Sequence, residues 1–357
     1  MISLPDAGGL VVVMLATHRC QLGCSYCEMP LADEDLPLDL VEAVVADLDR
    51  RLPAGRPVTF VWHGGEPLLR GVAFFRRIHA LQEPMRARRD VGNILQTNGL
   101  LLDEAWLDLM AETGDFRPNL SMDGPVTGAT RGVDAAAFDR IFAALGARGL
   151  GFGLSVVASP ELLTHRDEAL AWFAARGLEQ VGLTPYQGTG RHNASPGLFA
   201  DLCLDADDRP TLFGRPLLQG LLDQRLRGAC RFSSFSDGCH RHLLCVDAQG
   251  GLFTCLRGKW SGLWSWGTVQ AGGLDAWWAA QAGPPPFRPR PPEACASCDW
   301  MARCHGGCPS NALAMNGGAD RPDYYCASLQ RLFSAADRRL LEEALALAEA
   351  DCARQPR

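Results

Sequence analysis

The chain has no apolar run long enough to cross a bilayer. Its longer ones, such as residues 10–16, fall well short of the roughly 20 residues that a spanning helix needs. It also lacks an excess of positive charge. With 34 Lys and Arg against 41 Asp and Glu the formal net charge is −7, so there is no basic field to hold a phosphate backbone. Residues 1–6 lack the cationic flank of an export signal, and residues 10–16 read as a strand. These absences exclude a nucleic-acid partner and a membrane span and point to the cytoplasm. Fourteen cysteines without an export signal then argue against disulfides, and for metal or cluster ligation in a reducing compartment.

What is present centres on Cys20-Gln21-Leu22-Gly23-Cys24-Ser25-Tyr26-Cys27, with no fourth Cys or His close behind. Three thiolates are one short of closing a tetrahedral metal site or of fully ligating a four-iron cluster. If they share one cubane cluster, one iron is left open for a substrate or cosubstrate. A structural zinc knuckle is the duller alternative.

Around this loop the chain alternates. Residues 10–16, 57–62, 91–97, 117–122, 151–157 and 179–184 read as strands. Helical spacing fills 38–52, 71–81, 103–112, 134–147 and 161–175, with Asp103 placed to cap the third helix. Such alternation is α/β with parallel strands, and ligands in such folds collect at the strands' C-terminal ends. Four motifs stand there: His63-Gly64-Gly65-Glu66-Pro67, Gln96-Thr97-Asn98-Gly99, Ser121-Met122-Asp123-Gly124-Pro125 and Leu183-Thr184-Pro185. Residues 187–194 read as a polar loop and 217–226 as a helix. Beyond residue 230 cysteines become dense, as Cys239-x5-Cys245-x9-Cys255, then Cys295-x2-Cys298-x5-Cys304-x3-Cys308, then Cys326. Little periodic apolar sequence lies between them, so metal staples would supply the missing stability. The Cys₄ donor set suits zinc as well as iron–sulfur. Trp260, Trp264, Trp266, Trp277 and Trp278 read as core packing, with a peptide groove as the alternative. Residues 324–350 read as a closing helix.

CxxxCxxC with an aromatic before its last cysteine resembles the signature of the radical S-adenosylmethionine (SAM) enzymes. The resemblance implies a partial (β/α)6 TIM-like barrel and a radical-generating 4Fe–4S cluster on Cys20, Cys24 and Cys27. It further implies that Gly64, Gly65 and Glu66 bind the SAM amino group and that Ser121 contacts the ribose. Arg131 would lie near the carboxylate and Leu183 near the adenine. For these last two, surface charge and core packing are equal alternatives. The His-Asp pair that often precedes the arginine is replaced here by Thr127-Gly128-Ala129-Thr130. The cysteine-rich half resembles a SPASM domain. Its interleaved pairing implies one auxiliary cluster on Cys239, Cys245, Cys255 and Cys308, and a second on Cys295, Cys298, Cys304 and Cys326. That makes three 4Fe–4S clusters plus SAM, with Cys203, Cys230 and Cys352 as bystanders. The implied division is a barrel at 1–195, a bridge at 196–230, the auxiliary-cluster domain at 231–330 and a helix at 331–357.

Fully ligated clusters have no open iron, so the auxiliary pair is expected to accept an electron during a net two-electron oxidation. SPASM relatives either oxidise a Cys or Ser to formylglycine or cross-link a ribosomally made precursor peptide by carbon–carbon, ether or thioether bonds. Sulfatase-maturing enzymes usually carry a basic Asp right after the third SPASM cysteine. Leu256 holds that position here, and a leucine takes no proton. This favours a ribosomal-peptide cyclase, with a cyclophane cross-link to an aromatic ring as one form, over a formylglycine-forming enzyme. A radical SAM dehydrogenase acting on a small molecule stays open. Asp247, His240 and His242 are weak candidates for a replacement base, Asp247 reading better as a turn residue. An external electron donor of flavodoxin or ferredoxin type is expected. Only nineteen residues precede Cys20, too few for a leader-gripping module, so a separate leader-binding protein or direct docking is expected.

Overall fold

The computed structural model describes residues 9–187, 194–227, 239–262, 264–283 and 292–354. Most of the loop read at 187–194, Cys230 and the Cys352 side chain lie outside what is described. β1 (Leu10–Thr17) is central, and all eight of its residues are buried. A continuous apolar run suits a strand paired on both edges and covered on both faces. β2 (Val58–Gly64), β3 (Val91–Thr97), β4 (Phe116–Ser121), β5 (Gly153–Ala158) and β6 (Gly182–Pro185) follow on one side, each parallel to the last. Between them run α1 (Leu38–Arg51), α2 (Gly71–Leu81), α3 (Glu104–Thr113), α4 (Thr127–Arg131) and α5 (Ala137–Ala147). Asp103 caps α3, accepting from the Trp106 N–H at 3.1 Å.

Three expectations need correction. The stretch 161–175 is two helices, α6 (Pro160–Thr164) and α7 (Arg166–Ala174). His165 leaves helical geometry between them, at φ −108° and ψ 26°. The segment 196–230 is more than a bridge. It forms α8 (Leu198–Cys203) and α9 (Arg215–Arg227), and Leu198, Phe199, Leu218 and Leu221 join the core. Most consequentially, the sheet does not stop at β1. β7 (Leu243–Val246) pairs parallel with the free edge of β1, and β8 (Gly251–Phe253) and β9 (Ser265–Thr268) continue antiparallel. The order is β6-β5-β4-β3-β2-β1-β7-β8-β9. The six-stranded partial barrel is thus one side of a nine-stranded sheet, and a boundary at residue 231 falls inside it.

The cysteine-rich half adds α10 (Leu256–Trp260), α11 (Gly273–Ala279) and α12 (Pro309–Asn316). Trp277 is fully buried and donates to His240 O at 3.2 Å, while Trp278 donates to Asp47 Oδ2 on α1 at 2.7 Å. These two tryptophans therefore pack and anchor rather than line a groove. The closing helix α13 (Cys326–Arg354) starts ahead of the boundary at 331, and buries Leu329, Leu332, Phe333 and Ala336 in the core that holds α8 and α9. Among the described residues, no helix is long and apolar enough to cross a membrane.

Candidate functional site

The cysteine loop leaves the C-terminal end of β1 and is tied down on several sides. Thr17 Oγ1 donates to Asp35 Oδ1 at 2.6 Å. Arg70 Nη1 donates to Ala16 O and Leu36 O, both at 2.7 Å. Gly65 N–H donates to Thr17 O at 2.9 Å and Glu66 N–H to Arg19 O at 2.8 Å. This crossing explains the paired glycines. A Cβ on Gly64 would stand 2.1 Å from Thr17 O, and one on Gly65 would stand 2.1 Å from Arg19 O. Farther along, Gln21 Nε2 donates to Asn98 Oδ1 at 3.1 Å and Ser25 N–H to Thr130 O at 2.8 Å. The loop is thereby pinned to the ends of β1 and β3 and to α4. Burial pushes the Cys20 and Cys24 thiols up; neighbouring Cys27 adds to both, and Arg131 opposes the rise at Cys24.

Glu66 is fully buried. Leu68 N–H and Thr97 Oγ1 donate to its Oε1 at 3.0 and 2.7 Å, and Asn98 N–H donates to its Oε2 at 2.9 Å. Burial pushes this carboxyl up, while the three donors favour its ionised form. Ser121 faces the inner side of the sheet, where Gln96 Nε2 donates to its Oγ at 2.6 Å. Asn119 Nδ2 donates to Gln96 Oε1 at 2.7 Å and to Ser155 Oγ at 2.9 Å, extending a polar row across β3, β4 and β5.

Arg131 is buried beside the cysteine loop, its guanidinium 5.3 Å from the Tyr26 ring centre. Its Nε donates to Asp123 Oδ2 at 2.9 Å. The same oxygen accepts from Tyr26 Oη at 2.5 Å and Thr130 Oγ1 at 2.7 Å. Burial disfavours the Arg131 charge, yet Asp123, Tyr26 and Cys24 more than offset it and keep the guanidinium protonated. Leu183 falls elsewhere. Side chains alternate across a strand, and Leu183 packs in the helix-side core with Val156 and Phe173. Thr184, paired with Val157, takes the inner position.

In the cysteine-rich half the thiols form two groups. Burial pushes Cys239 up, and Cys255 and Cys308 add to it. Cys255 is pushed up to about 11 by burial and then by Cys308. Burial and then Cys255 raise Cys245, against the cation of Lys259. Cys304 is pushed up to about 12 by burial, with Asp323, Cys326 and Cys295 adding. Cys326 is raised by burial and then by Cys295 and Cys298. Cys295, Cys298, Cys304 and Cys326 line one small cavity together with Trp300 and Asp323. Four thiols facing one space are a donor set suited to a four-iron cluster. Among the described residues, no group of three or more Cys, His, Asp and Glu is arranged to hold a single metal ion.

The three weak base candidates have structural duties. Asp247 accepts from Gln249 and Gly251 N–H at 3.0 and 2.7 Å, and pairs with Lys259 Nζ at 2.5 Å. His240 is buried with Nε2 3.3 Å from Gly283 O, and His242 Nδ1 stands 3.4 Å from Gly9 O. Sequence reasoning quoted Asp123 only inside a motif and passed over Asn119, Ser155, Lys259 and Asp323. One signal was available: Lys259 is the only lysine among 34 basic residues.

The fold and rim define a class: a mostly parallel α/β sheet with a three-cysteine loop at the C-terminal end of its first strand. The chain carries a radical SAM domain, residues 14–157 matching the radical SAM superfamily. A cysteine-type anaerobic sulfatase-maturating enzyme of Clostridium perfringens is 24% identical over 94% of this chain and 98% of its own length. The PqqA peptide cyclase of Gluconobacter oxydans is 27% identical over 87% of this chain and 88% of its own. A serine-type anaerobic sulfatase-maturating enzyme of Klebsiella aerogenes reaches 42%, over 29% of this chain and only 27% of that relative. Among solved structures, native anSMEcpe with bound AdoMet shares the fold at a TM-score of 0.79, with 22% identity over 95% of this chain and 100% of that one.

Proposed function

We propose that the chain is a radical SAM oxidoreductase that takes a hydrogen atom from a side-chain β-carbon of a ribosomally made precursor peptide. It then closes an intramolecular cross-link: a carbon–carbon bond of the cyclophane kind, an ether or a thioether. The peptide substrate is carried over from the sulfatase-maturating and PqqA-cyclase relatives. The observation that carries the cross-linking choice is Leu256. It opens α10 directly after Cys255 and packs in the cluster of Val11, Val13, Leu15 and Val61. An alkyl group in that position offers no proton acceptor for formylglycine formation.

In this reading Cys20, Cys24 and Cys27 hold the radical-generating cluster. Gly64, Gly65, Glu66, Ser121 and Arg131 frame SAM, and Leu183 contributes through its backbone. The cysteine-rich half is a SPASM domain. Cys239, Cys245, Cys255 and Cys308 hold one auxiliary cluster, supported by the packing of Cys239, Cys245 and Cys255 in one apolar cluster. Cys295, Cys298, Cys304 and Cys326 hold the other, supported by their shared cavity. When bound, SAM and the first cluster supply a 5′-deoxyadenosyl radical, and the auxiliary clusters take up the surplus electron. The substrate loses one hydrogen atom, one electron and one proton as the new bond closes. A flavodoxin or ferredoxin-type donor completes the proposed partners, with the leader held either by a separate leader-binding protein or by docking directly on the barrel.

A second reading, formylglycine formation, is favoured by the near full-length match to a sulfatase-maturating enzyme. Anaerobic co-expression with a candidate precursor peptide separates the two. A product lighter by two hydrogens, with fragmentation blocked across a few residues, supports the cross-link. An unmodified peptide, alongside conversion of a sulfatase-type Cys or Ser peptide to its aldehyde, overturns it.

A further inference from the structure

The loop that carries Cys304 and Cys308 and the turn that precedes Cys326 meet at one carboxylate. Asp323 is 3% exposed. The Cys308 N–H donates to its Oδ2 at 2.7 Å, and the Tyr325 N–H donates to its Oδ1 at 2.9 Å. Asn311 Nδ2 lies 3.2 Å from both oxygens. The backbone of Asp323 is engaged as well. Its N–H donates to Gly306 O at 3.2 Å, and its carbonyl accepts from the Cys326 N–H at 3.0 Å.

Gly307 makes this approach possible. Its φ is +71°, and a Cβ there would stand 2.4 Å from Asp323 Cβ. The contact is tied onward to the barrel. Asn311 Oδ1 accepts from Gln187 Nε2 at 2.9 Å and from Arg257 Nη1 at 3.2 Å. Arg257 Nη2 in turn donates to Pro185 O, at the end of β6, at 3.1 Å.

Asp323 therefore reaches one cysteine group with its side chain, through Cys308, and the other with its backbone, through Cys326. It also lines the cavity shared by Cys295, Cys298, Cys304 and Cys326. Without an acceptor here, the buried N–H groups of Cys308 and Tyr325 would lose their partners and both loops would lose their reason to hold shape.

We propose that Asp323 is a positioning residue that clasps the two auxiliary cysteine groups into one unit, so that each keeps its ligand geometry only while the other's loop is in place. The proposal rests on the reading that these groups hold clusters. It asks for two acceptor oxygens at this point rather than for a reactive carboxylate, since the neighbouring donors already occupy both.

The test uses the full-length chain, reconstituted anaerobically with iron and sulfide. It reads iron per chain and the electron paramagnetic resonance of the reduced protein. Three four-iron clusters correspond to about 12 iron per chain. A wild-type value of about 4 would sink the cluster reading of the cysteine-rich half itself, a failure distinct from that of the clasp. Given a full complement, Asp323→Ala is expected to lower iron about threefold and to remove both auxiliary signals while the N-terminal cluster's signal stays. Asp323→Asn keeps one acceptor oxygen but sets an NH2 against the other of the two N–H groups, and is expected to hold iron between the wild type and Asp323→Ala. Gly307→Ala, which leaves the carboxylate untouched but forces it away, should match Asp323→Ala. Wild-type iron and signals in both Asp323→Ala and Gly307→Ala would overturn the clasp. So would an Asp323→Ala protein that loses only one auxiliary signal, since the clasp couples the two groups.

Discussion

At Asp123 four residues donate to one buried carboxylate: Tyr26, Thr130 and Arg131 by side chain, and Val157 by its N–H. The carboxylate joins the cysteine loop to α4 and to β5. Asp123→Ala leaves the Arg131 charge buried without its partner, a loss of about 3–5 kcal/mol. Urea unfolding of the variant should show it as a lowered midpoint with little change in slope. Glu66 offers a pH signature. Its folded-state pKa is raised by burial, so its contribution to stability is full below the ordinary glutamate range and is lost as pH rises through the elevated value. Glu66→Gln has no such dependence. In SAM-free protein, the stability of the wild type relative to Glu66→Gln should therefore fall as pH rises; a difference flat with pH would contradict the assignment.

At the scale of elements, the crossing of β2's end over the cysteine loop leaves no room for a side chain. Gly65→Ala sets a methyl against Arg19 O and within 3.0 Å of Cys20 Cβ. It should displace Cys20 and lower the iron held by the N-terminal loop several-fold, read as iron per chain in a variant whose auxiliary cysteines are replaced by serine. Much of this level was legible in advance. The strands from β1 to β5 and the helix at Gly71–Leu81 stand close to where alternation and helical spacing put them, because each is long enough to repeat its period. β7, β8 and β9 were not legible. They are three or four residues long, too short for alternation to register, and β7 is buried throughout. The break at His165 carries no Gly or Pro of its own, so helical spacing ran through it. At the rim, the three-cysteine spacing stood out in the sequence itself, whereas the roles of Gly64, Gly65 and Glu66 came only from the resemblance to the radical SAM enzymes. Asp123 and Asp323 were not legible, because their partners come from distant segments: Tyr26 and Val157 for the first, Cys308 and Asn311 for the second.

Across the whole molecule, the shared sheet makes the two halves one folding unit. A chain ended before residue 239 would leave β1 with one unpaired edge and bare the core face that β7 covers with Leu244 and Val246. Such a truncation should be largely insoluble, whereas a chain ended at 350 should remain soluble; sedimentation of the two after matched expression decides it. An exposed apolar edge is a template for pairing with other chains. The same edge is bare for a time in every newly made molecule. β1 leaves the ribosome before β7, and the strand that completes its second edge follows more than 200 residues later. At about 5–20 residues per second the wait is roughly 10–50 s. For that interval the nascent chain carries a largely apolar strand with one edge unpaired, and holding it apart from its neighbours on the same message falls to the cell's chaperones.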